Sequence, residues 1–105
     1  MTKLTITKAR KEALENYLDW GGELMGARLA EAKDSLKREK VQRESAFLFY
    51  IEDQPYLAYL SESVETPLPA DMKIELNKEH RVKNREVMDP SVRSDGQLIY
   101  DIKAD

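Results

Sequence analysis

His80 is the chain's single histidine, and the one side chain whose ordinary pKa lies near neutrality. It is expected at about the third position of a helix capped by Asn77. The positive end of a helix dipole favours neutral imidazole, which can accept a proton or hydrogen-bond a ligand. The plainer role is a histidine that caps or packs at the helix start. Glu44 opens the most apolar segment of the chain. Strand alternation puts Glu44, Ala46, Leu48 and Tyr50 on one face, and Ser45, Phe47, Phe49 and Ile51 on the other. A carboxyl on a covered face has a raised pKa and can shuttle a proton; otherwise it reaches solvent or pairs with Arg43 or Arg81. Tyr50, Tyr56, Tyr59 and Tyr100 fall on expected strands, either orienting a ligand or packing with their hydroxyls at the rim. Trp20 either stacks on a planar ligand or fills the space beside Gly21-Gly22. The expected site is a small-molecule pocket between helices and sheet. Glu44, Tyr59 and His80 are its polar lining and Trp20 its apolar wall; no catalytic residue is assigned.

Other chemistry is excluded by what is missing. There is no cysteine, so thiol catalysis, thiolate metal sites and disulfides are absent, which fits a reducing compartment. One histidine is too few for the usual zinc or iron site within one subunit, so no metal and no cofactor are expected. The four glycines, Gly21, Gly22, Gly26 and Gly96, build no phosphate loop. Lys plus Arg number 17 against 20 Asp plus Glu, a net charge of −3. The basic runs Lys33–Arg43 and Lys78–Arg85 are interleaved with acids and read as solvated faces, so no nucleic-acid partner is expected. The longest apolar run, Phe47–Ile51, is far below the roughly 20 residues that span a bilayer. The opening Met1–Ile6 lacks the apolar stretch of a signal peptide, so a cytoplasmic location is expected.

The 105 residues make one domain, 1–105. Leu4 and Ile6 alternate with Thr5 and Thr7, a short half-buried strand. From Ala9 to Lys40 the period becomes helical, with Leu14, Leu18, Met25, Leu29, Ala32 and Leu36 on one stripe. Gly21-Gly22 costs about 2 kcal/mol there, so a long first helix kinked at that pair is expected. Gly22, Gly26 and Ala30 form a row suited to close packing. Glu44–Glu52 and Tyr56–Leu60 read as an antiparallel hairpin turning at Asp53-Gln54-Pro55. Met72–Leu76 reads as a strand or an irregular turn. A helix is expected over Lys78–Met88, ended by Asp89-Pro90, and a last strand over Gln97–Ile102. The plan is α+β, a ferredoxin-like βαββαβ with an antiparallel sheet. A sheet with one wet face alternates, and the hairpin strands do not. Both faces must therefore be covered, one by this chain's helices and the other by a second subunit.

Val41–Leu48 resembles the helix-to-strand junction of a domain-of-unknown-function family in the dimeric α+β barrel superfamily. Leu76-Asn77-Lys78-Glu79-His80-Arg81 resembles the segment that opens that family's second helix; Trp20 and Tyr56–Tyr59 fit its pattern. Asn77 stands where the family often has aspartate, which keeps a cap and removes a charge. The resemblance implies ferredoxin-like protomers paired sheet to sheet as a homodimer. The superfamily holds antibiotic-biosynthesis-type monooxygenases, haem-degrading enzymes, isomerases and ligand binders. The functional expectation is an uncharacterised dimer binding a small molecule. The alternatives are a non-enzymatic structural or interaction homodimer, and a cofactorless monooxygenase or isomerase by analogy.

Overall fold

A computed structural model describes residues 1–105. The elements are β1 (Thr2–Ala9), α1 (Lys11–Met25), α2 (Leu29–Arg38), β2 (Arg43–Ile51), β3 (Gln54–Glu62), α3 (Glu75–Val87) and β4 (Met88–Asp95). This is an α+β chain with a four-stranded antiparallel sheet in the order β2-β3-β1-β4. No helix is long and apolar enough to cross a membrane.

The hairpin follows the sequence, with a tighter turn than Asp53-Gln54-Pro55. Ile51 faces Gln54, so the loop is Glu52-Asp53, both at positive φ (49° and 66°). That geometry matches the right-handed twist of the flanking strands. Register then sorts every side chain. The rows Thr7–Leu57–Leu48 and Thr5–Tyr59–Ala46 lie under the helices. The rows Leu4–Leu60–Ser45, Ile6–Ala58–Phe47 and Lys8–Tyr56–Phe49 lie on the opposite face. On β1 the buried residues are therefore Thr5, Thr7 and Ala9, while Leu4 and Ile6 point away from the helices.

The core sits between sheet and helices: Ala9, Leu14, Tyr17, Trp20, Leu57, Leu76 and Val87. The stripe of α1 runs through Leu14, Tyr17, Trp20 and Leu24, and the expected members Leu18 and Met25 are exposed at 52% and 75%. Aromatic residues with a polar handle took the inward face ahead of aliphatic ones one position away.

The first helical stretch is two helices, and its break is not at Gly21-Gly22. Helix α1 runs through both glycines and ends at Gly26, with Arg28 N donating to Glu23 O over 2.9 Å. A Cβ at Gly26 would stand 3.0 Å from Gly22 O, so a side chain there crowds the closing turn. The Gly22, Gly26, Ala30 row is exposed and packs on no sheet. Around Gly21 nothing lies within 4 Å of an added Cβ. Gly21→Ala is therefore expected to stabilise the chain by about 1 kcal/mol in urea melts.

Three other elements move. Helix α3 starts at Glu75 with Ile74 at its cap, so Asn77 lies inside the first turn and caps nothing; it is buried. Residues 72–74 form a turn. Asp89-Pro90 ends α3 as expected, but the chain passes straight into β4. Lys8 pairs with Asp89 and Thr7 with Arg93, so Pro90, Ser91 and Val92 loop out of the ladder. A proline is accommodated there because β4 is an edge strand and the bulge needs no donor from it. The expected last strand, Gln97–Ile102, is not one: residues 96–105 have no secondary structure, and Tyr100 is not on a strand.

Candidate functional site

Helix α3 turns a polar stripe inward: Asn77, His80 and Asn84, spaced for one helical face, with Val87 closing it. Each of the three meets a partner from another helix. Ser35 Oγ lies 2.7 Å from Asn77 Oδ1, Trp20 Nε1 donates to His80 Nδ1 over 2.9 Å, and Tyr17 donates to Asn84 Oδ1 over 2.9 Å. These three rungs tie α3 to α1 and α2. They satisfy polar groups that would otherwise cost about 1–3 kcal/mol each when buried.

The His80 rung fixes a tautomer. Indole N–H only donates, so Nδ1 must be unprotonated and the proton of the neutral ring sits on Nε2. Burial lowers the His80 pKa below its ordinary value, partly countered by the charge of Glu39. The cause is burial and not a helix N-terminus, because α3 starts five residues before His80. Nε2 has no partner in the protein and remains a free donor. Trp20 is 3% exposed and does not fill a kink. Arg28, from the break between α1 and α2, lies 5.5 Å over its ring and also pairs with Glu79 and Glu31. The indole is thus held at its edge by His80 and at its face by a cation.

A second group lies toward β2 and β3. The Tyr59 hydroxyl is buried and has no hydrogen-bond partner. Burial raises its pKa strongly, and the neighbouring Tyr17 and Glu44 add to the shift. At neutral pH it is a protonated donor, and the Tyr17 hydroxyl lies beside it without a well-formed hydrogen bond between them. The Thr7 hydroxyl, its diagonal neighbour on the same sheet face, is also buried and unpartnered. Glu44 is on the helix-side face, as alternation required, and no cation lies within ion-pair distance of it. Desolvation raises its carboxyl pKa, although as a residue at the strand start it stays exposed.

The four residues picked from sequence therefore fall into two linked pairs. Trp20 and His80 touch directly; the charge of Glu44 acts on Tyr59. Tyr17 and Asn84 join the pairs, because Tyr17 acts on Tyr59 and is bonded to the residue one helical turn beyond His80. Sequence reasoning missed both. Their signal was helical spacing, Tyr17 to Trp20 on α1 and His80 to Asn84 on α3. Tyr50 and Tyr56 stay outside the site: Tyr50 is 58% exposed, and Tyr56 stacks on Phe49 on the far face at 5.6 Å. A surface groove of about 570 Å³ lies elsewhere, at the end of α2, between Lys33, Lys37 and Lys40 and an apolar floor of Leu36, Val41 and Val64.

The seam can do limited chemistry. It offers two donors, Tyr59 O–H and His80 Nε2–H, and one carboxyl, Glu44, all on the helix side of the sheet. That set suits a small molecule with acceptor oxygens, carbonyl or hydroxyl. No group of three or more His, Cys, Asp or Glu side chains is placed to hold a metal ion.

No curated protein and no solved structure matches the chain. Residues 1–103 match the model of a family of unknown function (DUF6176), and the chain belongs to that family.

Proposed function

We propose that this protein is a ferredoxin-like homodimer of the dimeric α+β barrel kind that binds a small oxygen-bearing molecule in the seam between helices and sheet. The observation that carries the binding site is the pair of buried hydroxyls, Thr7 and Tyr59, with no partner on one sheet face. Buried polar atoms are almost always well paired, so the unpartnered Thr7 hydroxyl and the Tyr59 hydroxyl, with only a poorly formed contact to Tyr17, together support a place that meets something else. The neighbouring raised carboxyl of Glu44 and the free Nε2 donor of His80 belong to the same reading. The strand order β2-β3-β1-β4, with helices on one face, supports the ferredoxin-like assignment. The bare apolar face of the sheet supports the dimer.

Tyr59→Phe separates binding from folding. Removing an unsatisfied buried hydroxyl is expected to raise stability by about 1 kcal/mol. The same change removes a donor the ligand needs. In a thermal-shift screen of hydroxy and carbonyl compounds, a ligand at 100 times its Kd stabilises the parent by about 2.7 kcal/mol. That shift is expected to fall at least tenfold in apparent affinity for Tyr59→Phe and for His80→Ala. A ligand bound equally well by both variants, or a Tyr59→Phe chain less stable than the parent, would contradict the site.

The second reading is a purely structural or interaction homodimer. The three saturated rungs of α3 favour it, because they explain Trp20 and His80 by packing alone. It predicts no ligand shift and an unchanged dimer in both variants. An isomerase or cofactorless monooxygenase activity rests only on the superfamily resemblance and would use the same seam.

A further inference from the structure

The groove at the end of α2 is shaped by how that helix stops. Lys40 has a φ of 61°, a left-handed conformation that favours glycine. Lys40 N donates to Lys37 O over 3.2 Å, and Val41 N donates to Leu36 O over 2.9 Å. This pair of bonds is the Schellman closure, in which the residue after the left-handed one folds back toward an apolar residue of the last turn. Here those two residues are Val41 and Leu36, and both line the groove half-buried. The far wall is the stretch that follows β3. Ser63 N donates to Met1 O over 2.8 Å and Leu68 N to Glu39 O over 2.9 Å, so Val64 and Glu65 are held between two backbone anchors. Lys40 Nζ lies 3.1 Å from Glu65 Oε1 and ties the two walls together.

The charges around this hollow do not balance. Lys33, Lys37 and Lys40 are spaced four and three apart, and all three border it. The nearby acids are engaged elsewhere. Glu31 pairs with Arg28, Asp34 with Arg38 at 2.8 Å, and Glu65 with Lys40, while Glu39 accepts from Ser35 Oγ at 2.8 Å. No carboxylate lies within ion-pair distance of Lys33 or Lys37. Interleaving of acids along the sequence therefore does not neutralise this face, since the Asp34–Arg38 pair lies off the groove. Beside the two unpaired ammonium groups stands an apolar side chain, Val64, 78% exposed.

We propose that this groove binds an aliphatic carboxylate, with its head between Lys33 and Lys37 and its tail along Leu36, Val41 and Val64. The site is separate from the seam described above and does not rest on that reading. Residues four apart on a helix stand with Cβ atoms about 5–6 Å from each other, so two flexible ammonium groups can donate to the oxygens of one carboxylate. The apolar floor then takes a chain that water does not. The groove volume, about 570 Å³, lies within the roughly 300–1,000 Å³ of small-molecule sites. A single strand of nucleic acid calls for a line of cations with aromatic platforms, and the groove has no aromatic residue. A bilayer surface calls for apolar side chains that protrude, whereas Leu36 and Val41 line a hollow.

Octanoate is the probe, titrated into the full chain and followed by amide shifts in NMR spectra. The shifts are expected to centre on residues 33–42 and on Val64. Affinity should rise about two- to fourfold per methylene from butanoate to octanoate, with octanol far weaker. Lys33→Gln combined with Lys37→Gln should weaken octanoate about tenfold or more, and Lys11→Gln, outside the groove, should leave it unchanged. Lys33→Glu combined with Lys37→Glu should move the preference to octylammonium. These lysines are exposed, so the variants keep the fold. Absence of octanoate binding, or binding indifferent to both lysine pairs, overturns the site. Shifts centred on Tyr59 and His80 would put the probe in the seam, and shifts on Phe47 and Phe49 on the outer sheet face; either overturns it. Capture by anionic vesicles without octanoate binding overturns it in favour of a membrane surface.

Discussion

Phe47→Asp is expected to turn the proposed homodimer into monomers while leaving the protomer folded. Phe47 is 53% exposed in the protomer and stands on the outer face in the row Ile6–Ala58–Phe47. The protomer keeps its helix-side core, so the cost of folding is the modest strand penalty of aspartate, under about 1 kcal/mol. The cost to the dimer is much larger. An aromatic side chain at an interface contributes 2 kcal/mol or more when it is a hot spot, and the two-fold axis repeats the change. The dissociation constant should rise on the order of a thousandfold, from two such losses. Sedimentation velocity with far-UV circular dichroism checks both halves of this expectation. Lys3 offers a poor control, because its row Lys3–Ser61–Glu44 lies on the helix side. Val64, 78% exposed and outside the sheet, is a better one: Val64→Asp should leave the dimer intact.

Trp20→Ala should be the most damaging single change to the protomer. The indole is 3% exposed and is part of the core with Leu14, Tyr17 and Leu57. Truncating a buried aromatic to alanine costs about 3–5 kcal/mol. A domain of this size has roughly 5–15 kcal/mol in total, so chemical denaturation should show a large loss or no folded state. Trp20→Phe is the more informative variant. It keeps most of the apolar volume and removes the N–H donor to His80 Nδ1. The freed Nδ1 accepts a proton more readily, so the His80 pKa should rise from its lowered position. His80 is the chain's only histidine, and a single imidazole resonance in an NMR titration reads it. The sign for stability follows. A histidine with a lowered folded pKa is fully neutral in both states above its unfolded value, about 6.5. Stability is therefore intact above that pH and is lost as pH falls toward the folded pKa, since only the unfolded chain has taken up the proton. In Trp20→Phe that acid-side loss should be smaller.

The hairpin was legible because Phe47–Ile51 and Tyr56–Leu60 are continuous apolar runs around a turn, and continuous runs mean two covered faces. Alternation sorted Glu44 and Leu48 from Phe47 and Phe49, but which set meets the helices follows only from the register. The helix break was misplaced because propensity penalises Gly21-Gly22, while the core on Leu14, Tyr17 and Trp20 holds the helix straight through them. Pro90 hid β4: a proline ends helices, and its tolerance on a bulged edge shows only once β1 is alongside. Gln97–Ile102 reads as a strand from composition alone, and in the protomer it has nothing to pair with. Of the site, residue types pointed to His80, Glu44, Tyr59 and Trp20. The contact between Trp20 and His80 spans 60 positions and follows no local rule. Tyr17 and Asn84 carried only the signal of helical spacing, because a core tyrosine and a helical asparagine are ordinary until each is the other's partner.

The mass of the unmodified protein in dilute solution tests the whole account. Leu4, Ile6, Phe47, Phe49, Tyr56 and Leu60 share the face that no helix of the chain covers. The protomer is 12.2 kDa, and sedimentation equilibrium at micromolar concentration should return about twice that mass. A single species at 12.2 kDa, with this face open to water, would contradict it.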